Sequence, residues 1–147
     1  MKIENINIKL LNEKAIVPTY GSTYSAGADL YACIDEKIII NPGETKFINT
    51  GISFEIPVGF VGLVYARSSL GCKKGLAPSN KVGVIDSDYR GELIVALHNH
   101  SEETHEINPN DRIAQIVFTP YLKGNFCVVD DLNNTERGAG GFGSTDK

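Results

Sequence analysis

The segment from Asn80 to Leu93 places an acid and an aromatic ring beside a short apolar run. Because β-type residues at Val82–Ile85 and Leu93–Leu97 flank polar turn formers, the pattern predicts a β-hairpin. Unpaired backbone groups of such a hairpin could read the edge of a planar base. Asp86, directly after the apolar run, could activate a water molecule, and Tyr89 at the tip could pack against a sugar.

Length and charge narrow the classes of protein and partner. With 147 residues, 41% hydrophobic and 22% charged, the chain is expected to form one globular domain. Its net charge of −4 argues against a nucleic-acid backbone as the main partner, because phosphate backbones bind basic surfaces. A single nucleotide is compatible with that charge, since local positive charge is enough to bind it.

Targeting signals and the spacing of the cysteines are used to predict the cellular compartment of the protein. The N-terminal residues contain no apolar core of a signal peptide, and no apolar run exceeds five residues, so neither secretion nor a membrane span is expected. Cys33, Cys72 and Cys127 are far apart, which argues against a disulfide framework or a zinc site. We therefore expect a cytoplasmic protein, or a host-intracellular one if the chain is viral, with no membrane or nucleic-acid partner.

Short β-like runs recur along the chain and turn formers separate them, which predicts an all-β sandwich or barrel. The predicted strands are Ile6–Leu11, Ala28–Ile34, Lys37–Ile40, Thr45–Ile56, Val61–Ala66, Val82–Ile85, Glu92–His98, His105–Ile107 and Arg112–Pro120. Ser68–Lys73 is the one plausible helical turn. From Asp130 the sequence becomes polar and glycine-rich, which predicts a β domain over residues 1–129 and a flexible arm over residues 130–147.

Five segments resemble, in order and at compatible spacing, the conserved motifs of the trimeric dUTPases (deoxyuridine 5'-triphosphate nucleotidohydrolases). They are Ala26–Leu30, Ala66–Gly71, Asn80–Leu93, Asp111–Val117 and Arg137–Thr145. The resemblance runs from about Ala15 to Thr145. It implies a jelly-roll-type β-barrel, hydrolysis of dUTP to dUMP and pyrophosphate with Mg²⁺, and a homotrimer in which three subunits share each active site.

The resemblance assigns the base and sugar contacts to the Asn80–Leu93 segment. Asp86 would be the general base that activates a water for in-line attack on the α-phosphorus. The ring of Tyr89 would lie against the deoxyribose and leave no room for a 2′-hydroxyl. The groups that read uracil would be the side-chain amide of Asn80 and the backbone of Gly83, Val84 and Ile85.

The phosphate contacts are implied to come from other motifs. The expected ligands are Arg67, Ser68, Ser69 and Gln115 on the α- and β-phosphates, Arg137 on the γ-phosphate, and Gly143 and Ser144 in the arm. Phe142 would stack over uracil when the arm closes, and Asp29 would organise the site through water and neighbouring groups. Mg²⁺ would be held by the triphosphate and water and not by protein side chains, so no protein metal site is expected.

Each assignment has a structural alternative. Asp86 is also a common turn former, Tyr89 could be a cross-strand packing residue, Gln115 could face solvent, and Ser68 could cap the helical turn. Three other functions are compatible with parts of the sequence. A dCTP deaminase of the same fold should carry a different acid-bearing motif, a nucleotide-sensing switch would use the arm to engage a partner protein, and a viral capsid jelly roll would not need the polar segment.

Overall fold

The computed structural model describes residues 4–142 and confirms the predicted all-β class. Within that range the chain forms twelve strands and one short helix. The strands are β1 (Asn7–Leu10), β2 (Thr19–Tyr20), β3 (Ala28–Tyr31), β4 (Ile38–Ile40), β5 (Thr45–Asn49), β6 (Ile52–Glu55), β7 (Phe60–Tyr65), β8 (Leu76–Pro78), β9 (Gly83–Ile85), β10 (Ile94–Asn99), β11 (His105–Ile107) and β12 (Arg112–Pro120), and the helix α1 is Ser68–Gly71.

The strands pair antiparallel in four small sheets that wrap into a jelly-roll-type barrel. The strand orders are β1-β6, β5-β10-β8, β11-β4 and β2-β3-β12-β7-β9. Alternate side chains of the longer strands point inward, and Leu30, Ile48, Leu97 and Ile116 are fully buried in the common core. Since each such side chain contributes about 1.5–3 kcal/mol on burial, this core holds the sheets, and the loops between them, in fixed positions.

Gly51 divides the run Thr45–Ile56, which the sequence pattern indicates as one strand, into β5 and β6. Its φ of +68° lies in the left-handed region that glycine adopts readily. Because β5 pairs with β10 whereas β6 pairs with β1, the turn at Gly51 carries the chain from one sheet to another. The sequence pattern does not indicate β2 and β8, which are only two and three residues long.

The predicted hairpin between Val82–Ile85 and Leu93–Leu97 is wrong. β9 pairs with β7, with Val84 opposite Leu63, whereas β10 pairs with β5 and β8. The polar residues between them therefore form a loop that joins two sheets. Turn formers between two apolar runs predict a change of direction, but they do not specify which strands become neighbours.

The chain beyond β12 leaves the barrel surface. The backbone amide of Tyr121 donates to the carbonyl of Gly59 at 3.0 Å, and no strand is formed between there and residue 142. Apolar side chains of this segment are nearly fully exposed, among them Leu122, Phe126 and Val128. The domain boundary at residues 129 and 130 stays a prediction. None of the helices in residues 4–142 has the length and apolar character to cross a bilayer.

Candidate active site

A buried carboxylate shared by two arginines forms the centre of a first pocket. Asp29 on β3 has a side chain only 11% exposed, and it accepts hydrogen bonds from both arginines. The Arg67 Nε donates to Oδ1 at 2.7 Å, and the Arg112 guanidinium donates to Oδ2 at 3.2 Å. Two guanidinium groups against one carboxylate leave a surplus positive charge, and guanidinium groups suit phosphate oxygens.

Side chains from several elements line this pocket, which we call the Arg67 pocket. The lining residues are Gly21, Ser25, Ala26, Gly27, Asp29, Tyr65, Arg67, Ser68, Arg112, Gln115 and Val117. The sheet register explains the cluster, because Gln115 on β12 lies opposite Asp29 on β3 and opposite Tyr65 on β7. Arg67 follows β7 by two residues, so its side chain reaches the same end of the sheet.

The side chain of Gln115 reaches into the Arg67 pocket because of a hydrogen bond and because Gly27 has no side chain. Its Nε2 donates to the carbonyl of Ala66 at 2.9 Å. A Cβ added to Gly27 would clash with the Gln115 Oε1 and would lie 3.0 Å from its Cδ. The fold therefore requires glycine at position 27 for Gln115 to reach into the pocket. Gln115 lies on the outer face of β12, between the buried Ala114 and Ile116, and its side chain lines this surface pocket.

Ser68 and Ser69 begin the helix α1 beside Arg67. The helical turn forms where the sequence predicts it, but its N-cap residue is Arg67 and no side chain caps it, so the N-cap alternative for Ser68 is wrong. Ser68 is exposed and lines the Arg67 pocket. The hydroxyl oxygen of Ser69 accepts a hydrogen bond from Arg67 at 3.3 Å. Two hydroxyl groups therefore lie beside the cationic centre.

A second pocket forms where β9 runs into the loop before β10, and we call it the Asp86 pocket. Its lining residues are Val84, Ile85, Asp86, Tyr89, Glu92, Leu93 and Ile94. Asp86 is exposed, and its carbonyl accepts the backbone amide of Tyr89 at 3.2 Å, which closes a turn. The carboxylate and the aromatic ring therefore belong to one short loop.

Asn80 and Gly83 lie close together next to this loop. A Cβ added to Gly83 would lie 3.4 Å from the Asn80 Nδ2 and 3.2 Å from the Cβ of Val64. Glycine at position 83 therefore lets the backbone of β9 lie close to the Asn80 amide and to Val64. β9 is the edge strand of its sheet, so one side of its backbone has no strand partner within residues 4–142.

The two pockets share no lining residue, and β7 lies between them. At one edge of β7, Tyr65 lies opposite Gln115 of the Arg67 pocket. At the other edge, Gly62 lies opposite Ile85 of the Asp86 pocket. These positions on β7 are about 10 Å apart at the usual rise of a strand. A single chain therefore separates its carboxylate and ring from its cationic centre.

The predicted arm residues are not brought to either pocket within this chain. The Nε of Arg137 donates to the carbonyl of Gly140 at 2.9 Å, a local contact inside the arm. Phe142 is fully exposed. Gly143 and Ser144 lie outside the described residues.

Two residues outside the predicted set of site residues take part in this architecture. Glu92 accepts hydrogen bonds from the backbone amide of Gly51 and from the side chain of Asn49, both at 2.8 Å. Arg112 is the second partner of Asp29. Arg112 lies within a recognised motif and so had a signal. Glu92 also lies within a recognised motif, but no local pattern indicates its partners, which precede it by about forty residues.

Comparisons with known proteins agree on one family. A family model described as dUTPase matches residues 13–146. A deoxyuridine 5'-triphosphate nucleotidohydrolase of Nautilia profundicola is 48% identical over 97% of this chain and 99% of its own length. One of Coxiella burnetii (strain RSA 331) is also 48% identical, over 93% of this chain and 91% of its own.

Solved structures give the same result. A mutant dUTPase of Staphylococcus bacteriophage 80alpha with dUpNHpp has a TM-score of 0.88 and 26% identity, and the match covers 97% of this chain and 99% of that one. A dUTPase of phage phi11 of S. aureus, in which a structural Mg(II) ion is coordinated, has a TM-score of 0.78 and 26% identity over 87% of this chain and 98% of that one. The chain belongs to the dUTPase family, as the motifs predict.

Proposed function

We propose that this protein hydrolyses dUTP to dUMP and pyrophosphate. One observation carries the proposal: this member of the dUTPase family has two separate sets of polar groups. The Asp86 loop lies beside an open strand edge, and a separate cationic pocket surrounds Arg67. The first set of groups suits a base and a sugar, and the second suits phosphates. The named relatives act on dUTP, and a similar phage enzyme binds dUpNHpp.

Asp86 is the proposed general base. Its exposed carboxylate takes a proton from a water molecule, and the water oxygen forms a bond to the α-phosphorus. The bond from that phosphorus to the bridging oxygen breaks in line, and pyrophosphate leaves with the electron pair. A positioned base of this kind typically contributes about 10²–10⁴-fold to the rate.

The Arg67 pocket is proposed to bind the α- and β-phosphates. Arg67 is held by Asp29, so its remaining guanidinium donors are already oriented. Ser68, Ser69 and Gln115 supply further polar groups at the same place. Fixed donors that meet developing negative charge are usually the largest single contribution to this kind of catalysis. Arg137 on the γ-phosphate, with Gly143 and Ser144 beside it, completes the proposal.

Uracil is proposed to bind along β9. The open edge of Gly83, Val84 and Ile85 offers backbone donors and acceptors in a row, and the Asn80 amide lies beside Gly83. A site that hydrogen-bonds one base edge can reject a base with a different edge by roughly 10⁴–10⁵-fold. Cytosine has a different edge, whereas thymine is excluded by the volume of its methyl group. Phe142 stacks over the base in this proposal.

We propose that the active sites are completed by assembly into a homotrimer. The register partners Val84, Leu63 and Val117 form an apolar strip on the outer face of the sheet, and its two ends line the two pockets. A second subunit packed on this strip would cover its apolar side chains. The Arg67 pocket of the second subunit would then lie at the Asp86 loop of the first. The exposed apolar side chains of the segment between β12 and the arm, such as Leu122 and Phe126, suit the surface of a third subunit.

Mg²⁺ is proposed to arrive on the triphosphate. In the described range 4–142, no group of three or more His, Cys, Asp or Glu side chains could hold a metal ion. Asp29, the carboxylate nearest the cationic centre, has both oxygens engaged by arginines. A hard cation that keeps several waters and binds substrate phosphates would neutralise charge on the triphosphate without a protein cage.

The test is pyrophosphate release by the purified protein with Mg²⁺ and dUTP, in parallel with dTTP, dCTP and UTP. We expect selective release from dUTP, and a loss of at least about a hundredfold in Asp86→Asn, which cannot accept the proton. Deamination of dCTP would overturn the assignment in favour of a deaminase. Tight dUTP binding without any hydrolysis would overturn it in favour of a nucleotide sensor.

A further inference from the structure

The ring of Tyr89 occupies the space where any other residue at position 91 would carry its side chain. A Cβ built on Gly91 would clash with the Tyr89 Oη and would lie 2.6 Å from Cζ and 2.9 Å from Cε2. Its three nearest neighbours are all atoms of that ring. The ring therefore lies directly against the backbone at Gly91.

A hydrogen bond fixes the far end of the same ring. The Tyr89 hydroxyl donates to the backbone carbonyl of Glu92 at 3.0 Å. Tyr89 is 46% exposed, so packing alone would leave its ring considerable freedom. With the ring plane supported at Gly91 and the hydroxyl tied to Glu92, a half-exposed side chain is held in one orientation.

Glu92 is itself anchored away from the loop. Its Oε1 accepts the backbone amide of Gly51 and its Oε2 accepts the Asn49 side chain, both at 2.8 Å. The next residue, Leu93, is buried and donates its amide to Ile52 at 2.8 Å. The hydroxyl of Tyr89 is therefore tied to the turn between β5 and β6, which belongs to the rigid barrel.

We propose that Gly91 and Glu92 are positioning residues that set the discrimination between deoxyribose and ribose by fixing the Tyr89 ring. This inference rests on the proposed function, in which that ring lies against the sugar. A ring that can move aside makes room for a 2′-hydroxyl, whereas a fixed ring does not. A fixed ring can reject a substrate with an added hydroxyl by about a hundredfold, and the size of this discrimination depends on the position of the ring.

The test compares kcat/KM for dUTP and UTP in Gly91→Ala. Alanine can adopt the backbone conformation of Gly91, because its φ lies outside the left-handed region, so the ring and not the backbone must move. We expect the ratio of kcat/KM for dUTP to that for UTP to fall about tenfold or more, with a thermal midpoint close to the wild-type value. Gly124→Ala, where the added Cβ would make only ordinary contacts at 3.7 Å, is the matched control and should keep the ratio.

A second comparison separates the ring from any other effect. In a Tyr89→Ala background the ring is gone, and Gly91→Ala should then change the ratio less than about twofold, as expected for two mutations that act through one group. Glu92→Gln retains a single oxygen acceptor where two are used, so it should lower the ratio to a smaller extent.

The inference is overturned if a folded Gly91→Ala variant keeps the wild-type ratio of kcat/KM for dUTP to that for UTP. It is also overturned if Gly91→Ala changes this ratio equally in the wild type and in the Tyr89→Ala background. Wild-type hydrolysis of dUTP is measured in the same experiment. Its absence would refute the proposed function, whereas an active enzyme with unchanged discrimination would refute only the role of Gly91 and Glu92.

Discussion

Arg67 and Asp29 form the closest side-chain ion pair at the cationic pocket, with the Arg67 Nε 2.7 Å from the Asp29 Oδ1. The carboxylate is largely buried and Arg67 is 21% exposed, so solvent screens this pair less than a surface pair. The pair joins β3 to the segment after β7, and Arg112 joins the same carboxylate to β12. Asp29 thereby sets the position of two cations without being a candidate for the reaction itself.

Asp29→Asn should lower both stability and activity. An amide offers one acceptor oxygen in place of two and carries no charge, so at least one arginine loses its partner. We expect the free energy of unfolding to fall by about 1–3 kcal/mol, the usual cost of losing hydrogen bonds to a charged group. We also expect kcat/KM for dUTP to fall about tenfold or more. Urea denaturation and steady-state kinetics measure the two effects, and wild-type values for both would refute the role of Asp29.

Gly27→Ala should act through Gln115. The added methyl would occupy the place of the Gln115 side-chain oxygen, so the amide must swing away from Ala66 and out of the pocket. We expect kcat/KM for dUTP to fall about tenfold while the protein stays folded. In a Gln115→Ala background the same methyl has no side chain to displace. A further tenfold loss in that background would contradict the mechanism.

Gly51→Ala should destabilise the fold more than Gly43→Ala, although both glycines have positive φ. At Gly51 the added Cβ would lie 2.8 Å from the Cβ of Ala15 and from the Sγ of Cys33, whereas at Gly43 nothing lies within 4 Å. The conformational cost, about 1–2 kcal/mol, is common to both. Overpacking adds about 1–3 kcal/mol at Gly51 alone. If Gly51→Ala and Gly43→Ala lower the free energy of unfolding equally, the crowding at position 51 does not destabilise the fold.

Stability should decrease in mildly acidic solution partly because of His100. Partial desolvation of the ring, and then the charges of Lys81 and His98, lower the pKa of His100 from 6.5 in the folded protein. The unfolded chain then binds the proton more tightly, so the folded state loses stability as the pH falls below 6.5 and on through the folded pKa. Urea midpoints on either side of that pH should differ less in His100→Asn than in the wild type. An identical pH dependence in the two proteins would exclude His100 as a contributor.

The positions of the longer strands could be predicted from the sequence, whereas the pairing of the short strands could not. Apolar β-type residues bounded by turn formers identify β12 and β7 almost residue by residue, at Arg112–Pro120 and Val61–Ala66, because residue type and turn signals are local information. The partner of β9 is not local information. A run of three residues such as Gly83–Ile85 fits several neighbours, and the global fold decides among them.

The candidate site shows the same limit. Motif recognition named Arg67, Gln115 and Asp86, and the resemblance implies that subunits share each active site. The residue types alone do not show that these side chains line two separate pockets of one chain, because that depends on which edges of β7 are occupied. Nor could it find the support that Glu92 receives from Gly51, since no periodic pattern links residues so far apart. The residue types could be read from the sequence, whereas their grouping required the structure.

The central claim is that the Asp86 pocket and the Arg67 pocket of one chain serve different active sites. Asp86→Asn and Arg67→Ala should each abolish dUTP hydrolysis alone. When the two variants are co-expressed in equal amounts and purified as mixed oligomers, random assortment should give about a quarter of the sites an intact Asp86 from one chain and an intact Arg67 from another. We predict recovery of about a quarter of wild-type pyrophosphate release. Mixed oligomers with only the background activity of the single variants would contradict the account.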